Sequence, residues 1–294
     1  HRSAASMVAA GLVNPLAGMR FSRRAQLPQW LDSARRWYAA VARECAGTIW
    51  HPRPMLRLFR SAEQLRFYER RRAAADSTEL IGDYFGPTQC PESVEAPFGG
   101  FIQYQTGHVD LPRLLTGLRR WLGQHGCLRT EHVPDEAIEH RADSVRVGDV
   151  CARRLVFCQG AGLAGNPWFG RLPLNREKGE LLTVGCNDWH PTRIVNGAHW
   201  LVPLGDGALR FGATHEHHAR SATITQEGRD QLMRGLEALV PTRRFTLIDQ
   251  QAGFRPGTPD RYPMIGQHPQ LRRFWLCNGF GARGTLTAPW YTGE

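Results

Sequence analysis

Arg255 stands in Gly253–Phe–Arg255–Pro–Gly257, where a fixed cation is flanked by residues that shape a turn. A guanidinium is a planar fork that meets a carboxylate through two hydrogen bonds and stays charged at any working pH. The spacing offers a seat for an acidic group; bonds to loop carbonyls or to Asp260 are the structural alternative. A second glycine-rich segment, Gly279–Phe–Gly–Ala–Arg–Gly284, follows the apolar run Phe274–Trp–Leu–Cys277. Without a Cβ in the way, backbone N–H groups of such a turn approach a flat or anionic ligand closely. Gly160–Ala–Gly162–Leu–Ala–Gly165 has the dinucleotide-binding spacing G-x-G-x-x-G after an apolar strand. Its sequel, Asn166–Pro167–Trp168, is poor material for the helix whose N-terminus should face a pyrophosphate. His215–Glu–His217–His218 lacks the spacing that puts two imidazoles on one helical face, and no third ligand is identifiable, so no metal site is expected.

Those residues need elements to place them. Trp30, Leu31, Ala34, Trp37, Tyr38 and Val41 recur at spacings of three and four, which predicts a helix over 28–43. Alternation predicts strands at 54–60 and 100–106, with a charged helix over 62–75 between them. Asp110 is placed to cap a helix over 112–124, which Gly126 stops. Further strands are expected at 127–133, 144–148 and 153–158. A hairpin is expected at 200–203 and 208–213, joined through Gly205–Asp206–Gly207. A helix near 225–239 and a last strand at 274–277, followed by a glycine turn and a helix, complete the reading. Helical and extended segments alternate without repeats or a low-complexity linker, as in an α/β chain.

The 294 residues are 41% hydrophobic and 22% charged, ordinary for a soluble globular protein of one or two domains. No apolar run approaches the roughly 20 residues that cross a bilayer. The net charge of +10 invites a nucleic-acid reading. Yet its dense runs, Arg70 to Arg72 and Arg119–Arg120, fall on helical stretches with apolar neighbours, where a solvated face is the simpler account. Seven cysteines without a Cys-x-x-Cys pair argue against a disulfide framework or structural zinc and for a reducing cytoplasm. The start at His1, without Met, suggests a fragment of a longer protein.

Gly253 to Asp260, Pro263–Met–Ile–Gly266, Gly279 to Gly284 and Ala288–Pro289 together resemble the C-terminal end of the D-amino acid oxidase family of flavoenzymes, which includes glycine and sarcosine oxidases. The resemblance extends to Ser3–Ala–Ala–Ser6 with Ala10–Gly11–Leu12, Gly107–His–Val–Asp110, Glu131–His–Val133, Arg176–Glu–Lys–Gly179, Trp200–Leu–Val–Pro203 and Gly212–Ala–Thr214. It implies an α/β fold with an α+β substrate part. A Rossmann-like FAD-binding region lacking its first βαβ element (1–16, 105–175, 253–294) would interleave with a substrate region holding a mixed or antiparallel sheet (17–104, 176–252).

By that resemblance FAD is bound without a covalent link, by Ser3, Ser6, Gly11, Leu12, Val133, Gly160, Gly281, Ala282, Arg283, Gly284, Thr285 and Leu286. Val133 is otherwise simply a buried strand residue. Arg255 would grip a substrate carboxylate. Trp200 either caps the substrate or fills the core, and Arg283 serves either the substrate or the flavin. The implied activity is oxidation of an amine or amino acid to an imine, the hydride passing to flavin N5. Two other readings stay open: a tRNA-modifying oxidase acting on a carboxymethylaminomethyl-uridine, and a non-catalytic piece that needs a missing nucleotide-binding segment. Gly11–Leu–Val–Asn–Pro15 and Leu56–Arg–Leu–Phe–Arg60 look closest to unassigned bacterial members. Substrate, electron acceptor and oligomeric state are not legible.

Overall fold

A computed structural model describes residues 4–293. The chain begins with α1 (Ala5–Val8), β1 (Leu12–Val13), α2 (Leu27–Val41), β2 (Trp50–Pro52), β3 (Met55–Leu58), α3 (Glu63–Arg72) and β4 (Ile81–Phe85). Next come β5 (Gly100–Gln103), β6 (Gly107–Val109), α4 (Leu111–Gln124), β7 (Ile138–His140), β8 (Val145–Val147), β9 (Val150–Ala152) and β10 (Leu155–Phe157). The remainder is β11 (Asn175–Gly185), β12 (Ile194–Asn196), β13 (Trp200–Gly205), β14 (Ala208–Gly212), α5 (Gln226–Leu239), β15 (Thr246–Gly257), β16 (Met264–Gln267), β17 (Phe274–Asn278) and α6 (Gly284–Gly293).

An eight-stranded mixed sheet, ordered β15-β11-β14-β13-β12-β3-β5-β4, forms the body. Three smaller sheets surround it: β1-β6-β2, the meander β7-β8-β9, and β10-β17-β16. Strand alternation divides the large sheet into two faces. Leu56, Leu182, Val195, Leu201 and Phe211 point to one face, where Leu232, Leu236 and Val240 cover them. Met55, Ile194 and Val202 point to the other, which packs on Ala10 and Leu12 of the N-terminal segment.

Local signals account for most elements. In α2 the three-and-four spacing buries Trp30, Leu31, Ala34, Tyr38 and Val41, whereas Trp37 turns outward at 37% exposure. Asp110 caps α4 by accepting from the Arg113 N–H at 3.0 Å. Thr225 caps α5, its hydroxyl accepting from Gly228 N–H at 3.0 Å. The β13–β14 hairpin turns through Gly205–Asp206–Gly207, all three with positive φ.

One expected element does not form. Residues 127–133 are coil, and Val133 is 39% exposed rather than a buried strand residue. Among the described residues this stretch has no ladder partner; the Cys127 N–H instead donates to the Leu122 carbonyl at 2.8 Å, closing the end of α4.

On the α5 face, Lys178 and Glu180 are buried together, Nζ to Oε1 3.0 Å. Glu180 also accepts from Thr225 N–H (3.0 Å), Thr225 Oγ1 (2.7 Å) and Gln250 Nε2 (2.7 Å). Burial opposes its charge, but these donors and Lys178 outweigh it and hold the carboxyl below the usual range. Glu180→Leu would leave Lys178 with only the exposed Glu216, 3.2 Å away. We expect it to lose about 3–5 kcal/mol in urea unfolding, with most of that recovered in the Lys178→Met/Glu180→Leu double variant.

Candidate active site

β10 and β17 run parallel, Phe157 opposite Leu276, so both strands end on the same side. In open parallel sheets ligands bind in the crevice beyond such carboxyl ends. β10 leads into Gly160 (φ 57°), and β17 leads into Gly279 (φ 79°) and Gly281 (φ 56°). Asn278 ties the two ends: its Nδ2 donates to the Gly160 carbonyl at 2.9 Å, while its Oδ1 accepts from Gly279 N–H at 2.8 Å. The left-handed backbone at Gly281 turns the chain into the 3₁₀ turn Gly281–Arg283 and then α6. The unpaired first N–H groups of that helix, and the positive end of its dipole, therefore lie at the strand ends. Gly160 opens the 3₁₀ turn Gly160–Gly165, and no α-helix starts at Gly165, as Asn166–Pro167 implies.

Arg255 lies on β15, paired with Glu177 on β11. Its guanidinium lies across Gly179: a Cβ at that position would overlap both Nη atoms and Cζ. Any residue but glycine at 179 would displace it. Glu177 Oε2 is 3.3 Å from Nη1, and the Thr214 carbonyl accepts long bonds from Nη1 and Nη2 at 3.4 and 3.5 Å. Asp260 is not a partner; it accepts from Tyr262 N–H. Burial lowers the Arg255 pKa, and Glu177 works in the opposite direction. The other Glu177 oxygen meets His215 Nδ1 at 2.6 Å and His217 Nε2 at 3.6 Å. The histidine cluster thus serves a carboxylate, and the described residues include no group of three that could hold a metal.

Trp200 stands on the same face of the large sheet, since its row runs Trp200, Gly212, Leu181 and Gln251 across β13, β14, β11 and β15. Its ring lies over Gly212, where an added Cβ would come within 2.8 Å. Row 179–253, over which the guanidinium lies, is one side-chain step away. The end of β15 meets the C-terminal turn: a Cβ on Gly281 would lie 3.6 Å from Gly257 Cα. Arg255, Trp200 and the 279–286 turn are therefore brought to one region.

The remaining expected residues are placed less uniformly. Leu12 and Trp200 both pack against the cluster of Ala10, Met55, Ile194 and Val202, and Gly11 accepts from the Val109 N–H at 2.9 Å. Ser6 is exposed on α1, and Ala282 is exposed at the turn. Ser3 lies outside the described residues, and Val133 lies in exposed coil. Gly284, Thr285 and Leu286 form the first turn of α6, fixed by Tyr38 Oη donating to the Thr285 carbonyl at 2.6 Å. The Leu286 side chain is core, which leaves only its backbone for a ligand. Arg283 turns away from Arg255, donating to the Pro15 carbonyl at 3.3 Å and lying 5.1 Å over Trp30. Sequence reasoning assigned no role to Glu177, Gly179 or Asn278. The quoted block Arg176 to Gly179 held two of them, but only the neighbouring strand shows what they do. Two open surface cavities, about 550 and 520 Å³, lie by Arg20, Phe67 and Arg70 and by His51 and Arg193; neither is lined by an expected site residue.

Residues 2–294 match the family described as DAO, FAD dependent oxidoreductase. The chain belongs to that family. A glycine oxidase of Pseudomonas aeruginosa is 31% identical over 203 residues, 63% of this chain and 54% of that protein. A tRNA 5-methylaminomethyl-2-thiouridine biosynthesis bifunctional protein MnmC of Azoarcus is 28% identical over 45% of this chain and 24% of its own. Among solved structures, glycine oxidase from Geobacillus kaustophilus superposes with a TM-score of 0.82 at 19% identity, covering 98% of this chain and 82% of that one. The DAO fold is thereby established, with its α/β architecture. The chain spans about half the length of the curated glycine oxidases it matches. No helix among the described residues is long and apolar enough to cross a membrane.

The carboxylate held by Arg255 gives the site a pH signature. Burial raises the Glu177 pKa, but His215, Arg255 and His217 together pull it below the ordinary value near ~4.3. A depressed carboxyl contributes stability that is complete above the unfolded pKa and is lost as pH falls through the folded one. Unfolding free energy measured from pH 7 down to pH 3 should therefore fall more steeply in the parent protein than in Glu177→Gln. Equal slopes would show that the ion pair does not form.

Proposed function

We propose that this chain carries the flavin-ring and substrate end of an FAD-dependent oxidase of amines or amino acids. The observation that carries the reading is the Arg255 guanidinium, laid over Gly179 on the Trp200 face of the sheet beside the glycine turns of β10 and β17. FAD fits these residues at its ring end. Gly160 has open space where a Cβ would stand, the 281–285 N–H groups lie at a helix start, and the buried Arg283 Nε has no hydrogen-bond partner among the described residues. Gly160, Gly281, Ala282, Arg283, Gly284, Thr285 and Leu286 would hold it, with Ser6, Gly11, Leu12 and Val133 as further contacts. We assign 1–16, 105–175 and 253–294 to the FAD region and 17–104 and 176–252 to the substrate region; the 252/253 boundary falls inside β15.

When bound, the flavin supplies the acceptor for the hydride leaving the carbon beside the amine nitrogen. The protein's own work is orientation and charge. Arg255 would fix a substrate carboxylate so that the C–H bond faces the ring, an effect of proximity. Trp200 and Leu12 would wall the substrate from water. The N–H groups of 281–285 would face the developing negative charge, where fixed dipoles act without reorganising. Free thiols at all seven cysteines support a reducing, cytoplasmic setting, and the sequence likeness points to a bacterial source.

A second reading is kept by the Azoarcus relative and the +10 charge: oxidation of a carboxymethylaminomethyl group on tRNA, with the same arginine on the glycine-like part. Salt-sensitive binding of the intact protein to tRNA would favour it.

In the intact gene product, Arg255→Ala should raise KM for an acidic amine substrate about tenfold or more, equivalent to ~1.4 kcal/mol, and leave an uncharged amine little changed. Equal effects on both would remove the carboxylate role. Gly179→Ala should reproduce the same pattern, because an added methyl takes the space of the guanidinium. A normal KM in that variant would show that Arg255 works from another position.

A further inference from the structure

Cys158 and Cys277 take no part in the geometry described so far. The registered pairs of β10 and β17 are Leu155–Phe274, Val156–Trp275 and Phe157–Leu276, and one step further along both strands come Cys158 and Cys277. Phe157 and Leu276 point into the core with Phe274 and Phe169. Because side chains alternate, the two cysteines share the opposite face. Val156 lies on that face at 52% exposure, and so does Ile265, paired with Cys277, at 42%. Adjacent strands run about 4.8 Å apart. That spacing falls inside the Cα separation of roughly 4.4–6.8 Å that a disulfide spans.

The two thiols are also unequal. A hydrogen bond from Cys277 holds the Cys158 thiol down to about 7 against the opposing effect of burial, while that bond and burial push Cys277 up. Cys158 is exposed and Cys277 half-buried beside it. An accessible thiolate next to a second, protonated thiol is the arrangement of an attacking and a resolving cysteine.

We propose that Cys158 and Cys277 form a redox-active dithiol that closes to a disulfide when a peroxide reaches Cys158. The Cys158 sulfur attacks one peroxide oxygen and the O–O bond breaks. This leaves a sulfenic acid on Cys158 and a hydroxide that takes up a proton as water. The Cys277 sulfur then attacks the Cys158 sulfur; the S–S bond forms, the S–O bond breaks and a second water departs. Two thiols and one peroxide give one disulfide and two waters, the sulfurs losing the two electrons that the peroxide oxygens gain. A small thiol reverses the bond by exchange. The bond would pin Gln159–Gly160 to Asn278–Gly279, the two strand ends already tied by Asn278. None of this rests on the oxidase reading, because any peroxide source suffices.

The test uses the reduced, intact gene product treated with hydrogen peroxide, alkylated, digested without reductant and analysed by mass spectrometry. A peptide containing Cys158 joined to one containing Cys277 is expected, separating into two thiol peptides with dithiothreitol. Cys158→Ser and Cys277→Ser should each abolish it, and Cys277→Ser should leave a sulfenic acid on Cys158 that dimedone traps. Cys127→Ser should leave the joined peptide unchanged. If Cys158 and Cys277 both remain alkylatable while other thiols are consumed, or if Cys158 pairs with a different cysteine, the proposal fails.

Discussion

The pairing of β15 with β11 is the constraint on which the rest depends. It runs from Thr246 opposite Gly185 to Gly257 opposite Asn175, with one irregularity near Thr183. Because a strand has a period of two, this register sends Glu177, Gly179 and Arg255 to one face and Lys178, Glu180 and Gln250 to the other. A slip of β15 by a single residue would turn Arg255 toward the α5 face and Gln250 away from it, while β14 keeps β11 in place. Two further consequences follow from the strand's length. Its outer half brings Arg255 level with the empty space of Gly179, and its end abuts Gly281. The sheet and the C-terminal turn are thus parts of one continuous positioning device.

Two cations on neighbouring residue pairs show what that alternation achieves. Lys178 is nearly inaccessible and surrounded by Glu180 and Glu216, which satisfies a charge that burial would otherwise penalise. Arg255 is more open, shares Glu177 with two histidines, and has only long bonds to Thr214. The first pair secures the α5 cap through Thr225, so its chemistry is structural. The second is held in place without being saturated, and a planar fork with five donors keeps its capacity for an incoming acid.

Elements whose cause is local were legible in the sequence. The apolar spacing of α2, the Asp110 cap of α4, the Thr225 start of α5 and the glycine-marked hairpin all rest on residues within a turn or two of each other. Arg255 and the 279–284 turn were visible for the same reason, since glycine and proline around a cation are a local signature. Residues 127–133, expected as a strand, form none, because a short candidate run becomes a strand only where a neighbour pairs with it. The strand order of the large sheet, including the parallel pairing of β12 with β3, joins segments far apart in the chain, and no periodicity records it. Gly179 belongs to the same class: its small size matters only because Arg255 crosses it from the next strand.

The face of the sheet shared with Arg255 holds further guanidinium groups whose hydrogen-bond partners are neutral. Arg57 donates to Asn196 Oδ1 and the Gly18 carbonyl, Arg210 to the Ala9 carbonyl, and Arg283 of the C-terminal turn to the Pro15 carbonyl. All these acceptors are neutral. Burial lowers the pKa of each of the three, and among the described residues the Nε atoms of Arg210 and Arg283 have no hydrogen-bond partner. Desolvating a cation against neutral acceptors works against folding, because dipoles return less than a carboxylate does. On the α5 face the same chain matches the buried Lys178 directly with acids. Asp110 and Asp249 offset part of this at Arg210, and guanidinium groups held in a low-dielectric wall raise the local potential and favour anions. At the strand ends α6 adds its dipole, and a reduced flavin ring or a substrate carboxylate would bring negative charge.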